Sequence, residues 1–161
     1  MPSKFNINTL KGRMAENLIQ DLFINSGYNI FNHGLERLHP GLSKTLRNNN
    51  QKLSKALRYM PDFVVQSNKD GGLFYLEVKF RADGRFFFDE GYKNYPYQNA
   101  WFVIVSPERI QCMHYNYLIK GKGITPTAKC ELTSVKWFHI EPALLAEYEE
   151  YARQLFAAYK R

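Results

Sequence analysis

The clearest pattern along the chain is an alternation of apolar and other side chains between Leu73 and Arg81. Successive residues of a strand point to opposite faces of a sheet, so this alternation predicts a β-strand. A second strand, Met60 to Gln66, precedes it, and turn-forming residues between the two predict a hairpin. One face of the later strand carries Phe74, Leu76, Val78 and Phe80, and the other carries Tyr75, Glu77, Lys79 and Arg81.

Helical spacing predicts a helix near each end of the chain. The first begins at about Thr9, with Asn8 or Thr9 as its N-cap, and ends before Gly27. Glu16 lies at the edge of its buried face. A second helix begins at Pro142. The predicted apolar faces are Ala15, Leu18, Ile19, Leu22 and Phe23 in the first helix, and Leu144, Tyr148, Tyr151 and Leu155 in the second.

Shorter patterns indicate further strands and one further helix. We predict an α/β fold with a mixed central β-sheet flanked by helices, in a single domain of 161 residues. Its core spans about residues 9–106, with a basic insertion at about 34–58 and further strands and a helix in 107–161. The additional strands are predicted at Tyr28–Asn32, Ala100–Ser106, Ile110–Ile119 and Val135–Ile140, and the additional helix at Asp89–Tyr95.

The charge of the chain favours a polyanionic partner. It has 22 lysines and arginines against 15 aspartates and glutamates, a formal net charge of +7 at pH 7, which suits nucleic acid. Most of this excess lies in residues 34–58, which contain one acidic residue, Glu36. That segment is either a solvated loop with a helix or an arm that follows phosphates, and its sequence alone favours neither. Its basic residues are Arg37, Lys44, Arg47, Lys52, Lys55 and Arg58.

The number of cysteines and the hydropathy of the chain indicate the cellular compartment in which the protein is expected. Cys112 and Cys130 are too few for a disulfide scaffold and form no Cys-x-x-Cys pair. No apolar run approaches the roughly 20 residues of a membrane helix, and the N-terminus lacks the apolar segment of a signal peptide. We therefore expect an intracellular, cytoplasmic protein with no membrane partner.

The hairpin carries the candidate chemistry. Glu77 and Lys79 leave the same face of their strand, and Asp62 lies near the start of the preceding one. Two carboxylates at short range repel each other, and partial burial raises that cost. A hard divalent cation such as Mg²⁺ resolves the conflict, because it prefers oxygen ligands and keeps several waters. The lysine can then orient or activate a water, or stabilise negative charge on phosphorus.

Pro61-Asp62 followed by Glu77-Val78-Lys79 resembles the motif of the PD-(D/E)XK nuclease superfamily, which includes restriction endonucleases and Holliday junction resolvases. The resemblance covers roughly residues 9–106. It implies a restriction-endonuclease-like α-β-β-β-α-β core with its active site where the second and third strands diverge. It also implies that Asp62, Glu77, the main-chain carbonyl of Val78 and Glu16 hold Mg²⁺ or Mn²⁺, and that Lys79 acts on the attacking water.

The expected function is metal-dependent endonuclease cleavage of phosphodiester bonds, in DNA rather than RNA, of structure-specific, repair or restriction type. Arg81 and the basic residues of 34–58 are expected to guide the strand. Two alternatives stay open: a non-catalytic nucleic-acid-binding module of the same fold, and a protein-interaction subunit. A homodimer formed through the last third of the chain is also open.

Overall fold

The computed structural model describes residues 4–34 and 51–159. Their centre is a five-stranded mixed sheet with strand order β1-β2-β3-β4-β5. All neighbouring strands pair antiparallel except β3 and β4, which are parallel. The predicted fold class and the β2–β3 hairpin are confirmed. The strands are β1 Tyr28–Asn32, β2 Phe63–Ser67, β3 Leu73–Phe80, β4 Ala100–Val105 and β5 Ile110–His114.

The first and last helices cover one face of this sheet. The first and last helices contribute apolar side chains to one core cluster with β2, β3 and β4, in which Phe23, Leu76 and Phe156 are fully buried. Burying side chains of this size stabilises the fold by roughly 1.5–3 kcal/mol each. None of the helices in the described ranges is both long enough and apolar enough to cross a lipid bilayer. The helices are α1 Lys4–Asn25, α2 Lys52–Arg58, α3 Tyr115–Leu118 and α4 Pro142–Phe156.

The opposite face of the sheet is covered mainly by aromatic side chains. The chain crosses from β3 to the parallel β4 through a segment that contains a 3-10 turn, Glu90–Tyr92. Phe88 and Tyr92 stack there with ring centroids 4.3 Å apart, and both pack against Phe102 of β4. Tyr75 of β3 packs against this second cluster. Because residues alternate along a strand, Glu77 and Lys79 project to the same aromatic face.

Some predicted boundaries are wrong. The helix α1 begins at Lys4, so Asn8 and Thr9 lie inside it and cannot cap it. Pro61 and Asp62 precede β2, which begins at Phe63 rather than Met60. The predicted helix 89–95 is only the 3-10 turn. The predicted strand 110–119 ends at His114, whose Nδ1 accepts a hydrogen bond from the Asn116 backbone N–H and so caps α3.

Two predictions for the last third are also wrong. Residues 135–140 form no strand; the segment follows a 3-10 turn, and Phe138 packs on Phe74 and Trp101. The apolar stripe of α4 is displaced by one position from residue 151 onward, since Tyr151 and Leu155 are exposed. The buried residues of α4 are Leu145, Tyr148, Ala152 and Phe156.

Candidate active site

Asp62 is fixed at the point where β2 leaves β3. The ladder between these strands ends at the Phe63–Leu76 pair. Beyond it the backbone N–H of Val78 donates to Oδ2 of Asp62 over 2.7 Å, so the carboxylate accepts a bond that a strand carbonyl would otherwise take. The main-chain oxygen of Asp62 accepts bonds from the backbone N–H groups of His33, at 2.8 Å, and Gly34, at 3.2 Å.

The surroundings of Asp62 disfavour its negative charge. Burial raises the pKa of this carboxyl, and the charges of Glu77 and Glu16 raise it further. The Val78 hydrogen bond and the charge of Lys79 lower the pKa, but the pKa of Asp62 remains well above the usual value for an aspartate. Three carboxyl groups therefore act on one another around the end of β2.

Glu77 and Lys79 form an ion pair beside Asp62. Nζ of Lys79 lies 2.8 Å from Oε1 of Glu77, and the two side chains are 21% and 16% exposed, respectively. Burial alone would lower the pKa of Lys79. The charge and hydrogen bond of Glu77, together with smaller contributions from Tyr92 and Asp62, outweigh burial, so the pKa is raised. Lys79 is therefore a charged hydrogen-bond donor.

Glu16 reaches the site from α1, which packs on the other face of the sheet. It is half-buried, at the edge of the apolar stripe as predicted. Within residues 4–34 and 51–159, no three histidine, cysteine, aspartate or glutamate side chains lie close enough together to enclose a metal ion by themselves. The donors that converge are oxygens, from Asp62 and Glu77. Such a set fits Mg²⁺, which binds through one or two protein carboxylates and retains waters.

Two tyrosines that the sequence analysis did not assign to the site lie beside these groups. Burial raises the pKa of the Tyr92 hydroxyl, and the positive charge of Lys79 partly offsets that shift. Tyr95 is 3% exposed, and its hydroxyl forms no hydrogen bond with any residue that the structure describes. Burial raises the pKa of Tyr95, and the charges of Glu77 and Asp62 add to the shift. The sequence signal for these two tyrosines was their three-residue spacing on the β3–β4 connection, but that spacing does not show which face of the sheet their rings cover.

A basic cleft of about 700 Å³ adjoins the ion pair. It lies between the first turns of α1, the end of β3 and the residues after α4, and its cationic side chains are Lys11, Lys79 and Arg81. Lys11 lies over the ring of Tyr159, with Nζ 3.8 Å from the centroid. Arg81 donates to the Phe80 carbonyl at 2.9 Å. The predicted Arg81 therefore shares a concave surface with Lys79.

The other predicted nucleic-acid-binding residues divide into two groups. Lys52 and Lys55 are exposed on α2, and Arg58 is half-buried at its end. Tyr97 holds this helix to the aromatic face by donating to the Ala56 carbonyl at 2.8 Å. The chain runs directly from α2 into Asp62. The remaining three, Arg37, Lys44 and Arg47, lie outside the described residues.

The likeness of this chain to known proteins is distant. No protein-family model matches the sequence, and no curated protein matches it at a significant level. Among solved structures, the chain is similar to Hjc of Archaeoglobus fulgidus, a Holliday junction resolvase from an archaeal hyperthermophile. The two proteins are 12% identical, the match covers 71% of this chain and 86% of the other, and the TM-score is 0.41.

Proposed function

We propose that this chain is a metal-dependent endonuclease that hydrolyses phosphodiester bonds in nucleic acid, in DNA rather than RNA. The observation that carries the proposal is the convergence of Asp62, Glu77 and Lys79 where β2 and β3 separate. Clustered, partly buried carboxylates destabilise a protein that has no use for them. A divalent ion would relieve that repulsion, which gives the arrangement a physical reason.

The proposed ion is Mg²⁺ or Mn²⁺, held by the carboxylates of Asp62 and Glu77 and by the main-chain carbonyl of Val78. Glu16 would complete the set directly or through a water. When bound, such an ion polarises a phosphoryl oxygen and makes a bound water more acidic. The Val78 N–H bond supports this assignment, because it fixes one oxygen of Asp62 and leaves the other available.

Lys79 would act on the water and on the phosphate. Its ammonium is held by Glu77 at 2.8 Å, so its position is set before substrate arrives. A charged donor held in this way can orient an attacking water and stabilise the negative charge that develops on the phosphoryl oxygens.

The nucleic acid would approach along the basic cleft. Lys11 and Arg81 line the same cleft as Lys79 and are suited to phosphates near the scissile bond. Lys52, Lys55 and Arg58 extend the positive surface along α2, and we propose the same role for Arg37, Lys44 and Arg47. An intracellular location and a homodimer are further parts of the proposal.

The test is a cleavage panel of single-stranded, duplex, flap and four-way-junction DNA, together with RNA. Each substrate is incubated with Mg²⁺ or Mn²⁺ and, in parallel, with EDTA. We expect cleavage of at least one DNA substrate that EDTA abolishes and that Asp62→Asn abolishes without unfolding the protein. The matched control is Asp70→Asn, an exposed aspartate in the β2–β3 turn, which should cleave as the wild type does.

Two results would replace the proposal with one of the alternatives. Binding to nucleic acid without cleavage of any substrate would leave a non-catalytic binding module. The absence of binding even at low salt would favour a protein-interaction subunit.

A further inference from the structure

Two adjoining cavities, of about 590 and 480 Å³, lie away from the proposed active site. Leu73, at the start of β3, lines the first, and Lys79 is six residues further along that strand, which corresponds to roughly 20 Å. Trp101 lies on the opposite face of the sheet from Glu77, because it pairs with the preceding residue, Leu76. Both cavities are lined by Trp101, His114, Tyr117 and Trp137, and we call this surface the tryptophan cleft.

The aromatic side chains of the tryptophan cleft are unusually open to solvent. Trp137 is 60% exposed and Tyr117 is 51% exposed. Trp101 is held in place by edge-on contacts with His114 and tilted contacts with Phe138, each with ring centroids 5.0 Å apart. Clustered exposed rings of this size mark an interaction surface more often than a scattered single residue does. The cleft thus offers flat apolar faces on a supported floor.

The charge around these rings is positive. Four lysines line the two cavities, and among the lining residues of both cavities the single carboxylate is that of Asp70. Lys122 lies over the Tyr117 ring, with Nζ 5.0 Å from the centroid. Alternating aromatic planes and ammonium groups are the arrangement with which proteins bind single-stranded nucleic acid, since bases stack and phosphates pair with cations. The lysines are Lys120, Lys122, Lys129 and Lys136.

We propose that the tryptophan cleft binds unpaired nucleotides of a single-stranded nucleic acid, with bases stacked on Trp137 and Tyr117 and phosphates held by the surrounding lysines. This occupant fits better than a second copy of the chain. A two-fold interface brings the same patch of each copy together, so it would set these lysines against their equivalents. Trp101 lies on the opposite face of the sheet from Glu77, and neither Glu77 nor Lys79 lines the cleft, so the proposal does not depend on the proposed catalysis.

Intrinsic fluorescence gives a direct test, because the chain contains two tryptophans and both line the cleft. The wild-type protein is titrated in EDTA with a short single-stranded oligodeoxynucleotide, and in parallel with the same sequence as a duplex. We expect the single strand to quench the fluorescence and the duplex to quench it much less. Affinity, measured by anisotropy of a labelled strand, should fall about tenfold for Trp137→Ala and recover largely for Trp137→Phe.

Phe31→Ala is the matched control, since Phe31 is 54% exposed on β1 and lines neither cavity. It should bind the single strand as the wild type does. Binding that leaves tryptophan fluorescence unchanged, or that Trp137→Ala does not weaken, would overturn the proposal. So would a dimer that Trp137→Ala converts to monomers, because the face would then be an interface between copies. A protein that binds single strands here but cleaves nothing would refute the nuclease proposal alone.

Discussion

The carboxylates around Asp62 predict that Asp62→Asn stabilises the metal-free protein while it disables the proposed chemistry. Asparagine has the same shape, and its side-chain oxygen can still accept the bond from the Val78 N–H, now 2.7 Å long. The substitution removes one of the negative charges that Glu77 and Glu16 oppose. The variant should therefore lose a repulsion without losing a hydrogen bond.

The size of the effect follows from the closeness of the two charges. Asp62 and Glu77 lie just beyond the Phe63–Leu76 pair, and the charge of Glu77 acts on the Asp62 carboxyl. Charges that shift a neighbour's pKa in this way typically lie within roughly 4–6 Å of it. At an effective dielectric constant of about 20, two like charges at about 5 Å repel by about 3 kcal/mol. Lys79 neutralises part of the charge on Glu77, so we expect a net gain in the free energy of unfolding of about 1–2 kcal/mol.

The assay is urea unfolding in EDTA between about pH 4 and pH 8. Burial, followed by the charges of Glu77 and Glu16, raises the pKa of Asp62 in the folded state. The wild type therefore loses stability as pH rises through that pKa, and the variant does not. Asp70 is the control whose pKa shifts in the opposite direction, because the hydrogen bond from the Gly72 N–H lowers its pKa. Asp70→Asn should cost stability near neutral pH and cost little at acidic pH.

Two outcomes would refute this reasoning. One is a variant less stable than the wild type at neutral pH in EDTA. The other is a gain from Asp62→Asn that does not grow with pH. Added Mg²⁺ should reverse the order, since a ligand at about 100 times its Kd stabilises the wild type by about 2.7 kcal/mol and the variant by much less.

Three further predictions concern other groups. Lys79→Met should lower the single-turnover cleavage rate by about 10²–10³ with binding nearly intact, and an unchanged rate would remove the lysine from the mechanism. Tyr95→Phe should leave stability unchanged or raise it by about 1 kcal/mol in urea unfolding, because it deletes a buried hydroxyl without a hydrogen-bond partner in the described structure; a clear loss of stability would indicate a partner for that hydroxyl. Neutralising Lys52 and Lys55 together should flatten the salt dependence of DNA binding by up to about two units of slope, and an unaltered slope would mean that α2 faces solvent.

The hairpin was predictable because its pattern is local. Strict alternation fixes which side chains share a face, and a turn-rich segment fixes the pairing. The sequence thereby predicted that Glu77 and Lys79 project together and that Asp62 lies close to them. It could not predict that the Asp62 side chain takes the place of a strand carbonyl, since that depends on where the ladder ends.

The last third of the chain was harder to predict, because we assigned the larger apolar side chains of its helix to the buried face and left out the smaller ones. Ala152 is fully buried in α4, whereas the bulkier Tyr151 is 41% exposed. Tyr148 is buried but its hydroxyl donates to Asp21 of α1, so the helix packs by a mixture of apolar and polar contacts. The residues 135–140 are rich in the β-branched and aromatic side chains typical of a strand, yet Phe138 covers Phe74 and Trp101 from a loop. Such a composition does not distinguish a strand from an irregular segment that covers a sheet.

The bond between Val78 and Asp62 places a second constraint on that position, independent of any metal. A residue without an acceptor there would leave an amide of a central strand unsatisfied, whereas asparagine would not. A lineage that abandoned the proposed reaction would therefore be expected to drift towards asparagine before alanine. The shape and hydrogen bonding of the site would then persist after the proposed activity was lost. An inactive relative would differ from an active one at this position by the exchange of one oxygen for an NH₂ group.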